Sequence, residues 1–142
     1  MQHPDTPVAI DLPEPRARER MLIAVVDDEA SVRRALVRVL RVSHFDTADF
    51  ASGAEFLHSL RFQRPDCLVL DIHMAGLTGR DVQRALALMQ VRVPSIIMTA
   101  HADPGLREEC LAAGAHAYLR KPPRAEELLA NIRMAIARPR ND

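Results

Sequence analysis

Asp27, Asp28 and Glu29 stand in a row directly after the apolar run MLIAVV (residues 21–26). Adjacent like charges repel, so three acids at the end of such a run need either bulk water or a counter-charge. Taken alone they read as a solvated turn entering a helix, where acids favour the N-terminal turn. Other chemistry-bearing residues recur at the same kind of place. Asp71 lies near the end of CLVLDI (67–72), Thr99 near the end of PSIIMTA (94–100), and Lys121 follows HAYLR (116–120). Brought to one rim, these ends would join three carboxylates, a hydroxyl and an ammonium. Clustered carboxylates raise one another's pKa, and a hard divalent cation relieves that repulsion through oxygen ligands. Mg2+ suits such a set, and Mn2+ is the nearest substitute. An aspartate kept ionised beside that cation is a nucleophile toward phosphorus and gives an aspartyl phosphate. Phosphoryl transfer is mainly positioning and charge neutralisation, to which the Lys121 ammonium and the Thr99 hydroxyl can contribute.

Short apolar runs alternating with amphipathic stretches supply elements that could gather these ends. Residues 21–26 read as a strand buried on both faces, and 30–42 as a helix with Val32, Ala35, Leu36, Val39 and Leu40 inward. His44 to Phe50 reads as a short strand. Ser52-Gly53-Ala54-Glu55 is a capping-box pattern opening a helix toward Arg61. Residues 67–72 form the third strand, and Thr78 caps a helix from Gly79 toward Gln90. After a fourth strand (94–100), Asp103-Pro104 supplies an N-cap and a proline at the first helical position, and Gly114 ends that helix. A fifth strand (116–120) precedes a helix over 124–137 with Leu128, Leu129, Ile132 and Ile136 inward. This alternation predicts an α/β fold: a doubly wound, five-stranded parallel sheet with right-handed crossovers and helices on both faces. With the flavodoxin-like strand order 2-1-3-4-5, chemistry belongs beyond the carboxyl ends of the strands.

The bulk properties narrow the partners. A chain of 142 residues suits one domain with one core. Nineteen basic and nineteen acidic residues cancel, so nothing favours nucleic acid or an anionic membrane. No apolar run approaches the ~20 residues of a membrane span. Residues 1–20 carry four prolines and many charges and read as a flexible leader without a signal peptide; 21–138 form the domain and 139–142 a tail. Cys67 and Cys110 read as free buried thiols of a reduced, cytoplasmic protein.

The stretches VVDDE (25–29), LVLDIHMAGLTG (68–79), IIMTA (96–100) and AYLRKP (117–122) together resemble the response-regulator receiver domains of the CheY-like family, with FixJ-type receivers close in sequence. The resemblance covers residues 21–138. It implies a (βα)5 phosphoacceptor module of a two-component system, with Asp71 as acceptor. Asp28 matches the acid that contacts Mg2+ directly, Asp27 the one acting largely through water, and the His73 backbone carbonyl a metal ligand. Thr99 matches the switch hydroxyl, Lys121 the phosphate-pairing lysine, and Tyr118 the aromatic that changes rotamer. The same resemblance implies a cis Lys121–Pro122 peptide. The implied donor is a histidine kinase or histidine phosphotransfer protein. The implied output is a downstream protein, bound through the surface of the fourth helix, fifth strand and fifth helix by a monomer or a phosphorylation-dependent dimer. Two departures stand out. Ala75, followed by Gly76, replaces a common proline, which predicts a looser loop and altered metal affinity. Pro123 replaces a common aromatic and stiffens the entry to the last helix.

Other readings remain in view. A haloacid-dehalogenase-like phosphatase also uses a strand-end aspartate and Mg2+, but needs an acid two residues later, where this chain has His73. A metal-free pseudo-receiver scaffold would lack acidic residues that are all present. A receiver half of a truncated DNA-binding regulator fits the same motifs, although no helix-turn-helix is present. Glu29 reads only as first-turn charge, and Arg33, Arg34, Arg38 and Arg41 as a solvated helix face. His73 and His101 each follow a motif residue by two positions and are expected to shape water access to the phosphate. His3, His44, His58 and His116 read as surface or structural residues.

Overall fold

The computed structural model describes residues 20–138, so all but Arg20 of the expected leader, the whole expected tail and His3 lie outside the described residues. In chain order the elements are β1 (Leu22–Val26), α1 (Ala30–Val42), β2 (Asp46–Phe50), α2 (Gly53–Ser59), β3 (Cys67–Asp71), α3 (Gly79–Met89), β4 (Ser95–Thr99), α4 (Pro104–Ala112), β5 (Ala117–Arg120) and α5 (Ala125–Ala137). All strand pairs are parallel, in the order β2-β1-β3-β4-β5. The predicted fold and strand order are thereby observed.

The strand period of two divides the apolar residues between two cores. Ala24, Val26, Leu68, Leu70 and Ile97 face one layer, with Phe56 of α2, Val82 and Leu86 of α3 and Cys110 of α4. Ile23, Val25, Cys67, Val69, Ile96 and Met98 face the other, with Leu36 and Leu40 of α1 and Leu128 and Ile132 of α5. β1, β3 and β4 are buried at every position, as central strands covered on both faces must be. Each fully buried Leu or Ile contributes about 1.5–3 kcal/mol. The chain reverses its winding between β1 and β3, and such a point opens a crevice beyond the strand ends.

Several local expectations are corrected. Ala35 is exposed, and Val37, not expected inward, joins Val32 as a half-buried contact of the α1 core. The second strand begins at Asp46, because His44 takes a left-handed turn (φ 71°). At α2 the Ser52 hydroxyl accepts from the Glu55 amide at 3.1 Å, but the Glu55 carboxylate turns to the Ala51 amide at 3.4 Å, leaving the box half-closed. The full reciprocal box forms instead at α3, between Thr78 and Asp81. Asp103 caps α4 through the Leu106 amide, and Gly114 (φ 106°) supplies the left-handed residue after it. Cys67 and Cys110 are free and buried, and burial pushes the Cys67 thiol up to about 12. Among the described residues, no helix is long and apolar enough to cross a membrane.

Candidate functional site

Asp27 follows β1 directly and is fully buried. Its amide donates to the Phe50 carbonyl at 3.2 Å, and its carbonyl accepts from Arg33 Nη1 at 2.8 Å. Its Oδ1 accepts from the Glu29 amide at 2.9 Å and its Oδ2 from Lys121 Nζ at 2.9 Å. Every polar group of Asp27 therefore has a partner, the condition for burying a carboxylate. Asp71 ends β3 and is also buried; its Oδ2 lies 3.5 Å from Lys121 Nζ, and its Oδ1 accepts from the His73 amide at 3.4 Å. Asp28 is exposed, and its Oδ2 accepts from the Ala75 amide at 3.1 Å. Carboxylate oxygens of Asp27, Asp28 and Asp71 lie within 4.8 Å of one another. Segments far apart in sequence thus deliver three acids to the crevice between β1 and β3.

The charges do not balance. Burial pushes the Asp71 carboxyl above its usual range, Asp27 pushes it further, and Lys121 pulls against both. Burial works against the Lys121 ammonium, but its bond to Asp27 and the charges of Asp71, Asp27 and Glu29 outweigh that and raise its pKa. One ammonium facing this many carboxylates leaves a negative excess, and the donors are all hard oxygens. That set fits a small divalent cation such as Mg2+ or Mn2+ and offers no soft ligand to a thiophilic metal.

Three residues act differently from their sequence reading. Glu29 occupies the N-cap position of α1 without capping it, and its carboxylate reaches Lys121 Nζ at 3.4 Å, so it is more than first-turn charge. Arg33 is no part of a solvated face: its side chain is only 18% exposed, and it joins the Asp27 carbonyl to Asp49 Oδ2 at 3.3 Å. The signal for this was its place one turn into the helix, beside the half-buried Val32. Ala75 forms a bond to Asp28 that proline, lacking an amide hydrogen, could not make. The loop expected to loosen is therefore tied to the acidic cluster.

Thr99 ends β4 fully buried, but its hydroxyl is not directed at Asp71. It donates to the His101 carbonyl at 2.8 Å and accepts from the His101 amide at 3.2 Å. Tyr118 packs against the α2–α4 core. Its hydroxyl is buried; it sits near enough to Thr99 to ease the phenol's ionisation, yet the two do not meet hydrogen-bond geometry. Burial dominates and raises the phenol pKa. The exposed rings of His73 and His101 stand over this rim with centroids 6.3 Å apart. The Lys121–Pro122 peptide is cis, as the resemblance implied. Gly79 lies against the end of β3 so closely that a Cβ would fall 2.9 Å from the Asp71 carbonyl oxygen. His58 stacks edge-on with Phe62, His44 occupies a turn, and His116 is half-buried, all in keeping with structural or surface roles.

Residues 23–133 match the family model for the response regulator receiver domain. The chain belongs to this family. It is a family of two-component signalling domains and not a classical enzyme family. Among curated relatives, nodulation protein W of Bradyrhizobium diazoefficiens is 35% identical over 124 residues, covering 87% of this chain and 55% of that protein. The transcriptional regulatory protein PrrA of Mycobacterium tuberculosis is 40% identical over 116 residues, covering 82% and 50%. The chain thus spans about half the length of these relatives. Among solved structures, a response regulator receiver protein from Burkholderia phymatum superposes with a TM-score of 0.73 at 44% identity, covering 82% of this chain and 95% of that one. The FixJ-N structure gives 0.79 at 27% identity, covering 87% and 99%. The acidic pocket of Asp27, Asp28 and Asp71 is the kind found in phosphoacceptor receivers.

Proposed function

We propose that Asp71 is the phosphoryl acceptor of a phosphorylation-controlled switch, with a histidine kinase or histidine phosphotransfer protein as donor. The observation carrying this reading is the convergence of Asp27, Asp28 and Asp71 on one another with a single ammonium, Lys121, among them. Asp28, Asp27, Asp71 and the His73 backbone carbonyl would hold Mg2+ or Mn2+. When bound, the cation would neutralise charge on phosphoryl oxygens. The chain's own residues do the rest. A carboxylate oxygen of Asp71 forms the bond to phosphorus as the donor's phosphorus–nitrogen bond breaks and its electron pair returns to the imidazole. Lys121, held at the pocket by Asp27 and Glu29, needs only a short movement to pair a phosphate oxygen. Thr99 would give up its bond to His101 and turn to the phosphate, and Tyr118 responds in the space beside it. Phosphorylation then shifts the population of packings at the α4–β5–α5 surface, where a downstream protein binds. The domain follows residues 21–138 and acts as a relay in the cytoplasm, as a monomer or a phosphorylation-dependent dimer, without binding nucleic acid itself.

The test is acetyl phosphate with Mg2+, followed by intact mass. A labile phosphate adduct is expected in the wild type and absent from Asp71→Asn; an adduct of equal size in both would refute the assignment. A second reading, the receiver portion of a longer DNA-binding regulator, is supported by relatives such as PrrA, of which the chain matches half. Immunoblotting the native protein in its own cells for a species well above 15.8 kDa decides between them.

A further inference from the structure

Helix α4 is thinly attached to the sheet. Of its nine residues only Cys110 is buried, and Leu106 and Leu111 are half-buried. Its N-terminal turn, Pro104 and Gly105, is exposed and adjoins the loop that carries the Thr99–His101 bonds. Its C-terminal half is tied to α3 by polar contacts that the switch residues do not include. Gln83 of α3 is buried, and its Nε2 donates to the Cys110 carbonyl at 3.1 Å. That carbonyl also accepts from the Ala115 amide at 3.0 Å, so both its lone pairs are used at the cap of the helix. Arg80 Nη1 donates to Gln83 Oε1 at 2.9 Å, which orients the side-chain amide with its nitrogen toward α4. Arg80 Nε, buried and without a hydrogen bond, lies 3.7 Å from Glu109 on α4. Adjacent residues 109 and 110 are thus linked to one turn of α3, while among the described residues the N-terminal turn shows no such link.

We propose that Gln83, oriented by Arg80, is a positioning residue that pins the C-terminal half of α4 to α3. The switching motion then becomes a pivot of the N-terminal half about the Cys110 carbonyl. From Pro104 to the pin at Cys110 the helix spans about 9 Å, so a rotation of about 10° at the pin displaces the Thr99 end by about 1.5 Å. Tyr118 packs against the buried cluster to which Cys110 of α4 belongs. The pin therefore keeps the space around Tyr118 constant at one end while the other end opens or closes. This inference rests on the proposed phosphoacceptor reading for its purpose, but not for its geometry.

The experiment compares the wild type with Gln83→Met, which keeps volume and removes both bonds. Without phosphodonor, amide exchange is measured across α4. The wild type is expected to exchange faster in its N-terminal than its C-terminal half, and Gln83→Met to raise exchange at residues 113–115 about five- to tenfold, the effect of one lost buried hydrogen bond. Equal exchange at those amides in both proteins overturns the proposal. In a second arm acetyl phosphate and Mg2+ are added. Tyr118 is the only tyrosine and the chain has no tryptophan, so intrinsic fluorescence reports this site alone. With equal adduct by mass, the Tyr118 response is expected in the wild type and at least halved in Gln83→Met; an equal response overturns the pivot. Absence of any adduct in both proteins would sink the phosphoacceptor reading instead, and the exchange arm would still decide the pin. Arg80→Met is expected to give an intermediate exchange effect, because Gln83 keeps its donor but loses its orientation.

Discussion

Replacing Lys121 by Met isolates the central electrostatic claim. The Lys121 side chain is 10% exposed, and it faces Asp27 at 0% and Asp71 at 4%. Removing the ammonium leaves two buried carboxylates without a counter-charge, a class of change that costs about 3–5 kcal/mol. The lower figure applies, since Asp27 keeps its bond from the Glu29 amide and the pocket opens to solvent at Asp28. At about 4 °C per kcal/mol for a domain of this size, the melting temperature falls by roughly 12 °C. Calorimetry in a chelator-treated buffer measures it. Adding Asp27→Asn should recover most of the loss, because the amide oxygen can still accept from Glu29 while one buried charge disappears. Mg2+ should raise the melting temperature of Lys121→Met by more than that of the wild type, since a cation then supplies the missing charge. A single variant within about 4 °C of the wild type, roughly 1 kcal/mol, or a double variant with no recovery, would show that the pair does not neutralise the pocket.

The raised Asp71 pKa gives a pH dependence of defined sign. The stability from its protonated form is fully present below the unfolded value of 3.8 and is lost as pH rises through the higher folded pKa. Metal-free Asp71→Asn should therefore gain stability over wild type above that transition, with the difference vanishing at lower pH in parallel denaturant titrations; a constant difference would contradict the cause. Gly79→Ala would place a Cβ 2.8 Å from Ile72 Cα and 2.9 Å from the Asp71 carbonyl oxygen, both backbone atoms. It should destabilise by about 2–3 kcal/mol and slow adduct formation, as overpacking against fixed atoms does. Gly105→Ala meets only a carboxylate oxygen at 3.6 Å and should be neutral or stabilising in the same melts. His73→Ala and His101→Ala should each shorten the phosphate lifetime by about twofold or more, by admitting water to the rim; unchanged decay by time-resolved mass measurement removes that role.

The alternation of elements could be read from the chain because strand and helix periods are local. Five buried or edge runs separated by helical stretches leave few alternatives to a doubly wound sheet. The candidate residues were legible for a related reason: in such a sheet chemistry collects at strand ends, and Asp27, Asp71, Thr99 and Lys121 all stand there. What escaped were contacts between side chains of different elements. Ala35 reads as apolar and inward at helical spacing, yet α1 turns Leu36, Leu40 and the half-buried Val32 and Val37 to the sheet. Arg33 and Glu29 read as surface charge until folding sets one against the Asp27 carbonyl and the other against Lys121. Gln83 carries no sequence signal at all, because its partner is a backbone carbonyl 27 residues away.

By itself, then, the sequence determined the fold class, the order of elements and which acids, hydroxyl and ammonium stand at the strand ends, since apolar periodicity and residue chemistry are properties of the chain. Only the tertiary structure decided how the pocket is neutralised, where the Thr99 hydroxyl points and how α4 is held. Those depend on distances between segments remote in sequence, and burial turns each such distance into free energy by removing the water that would otherwise screen it.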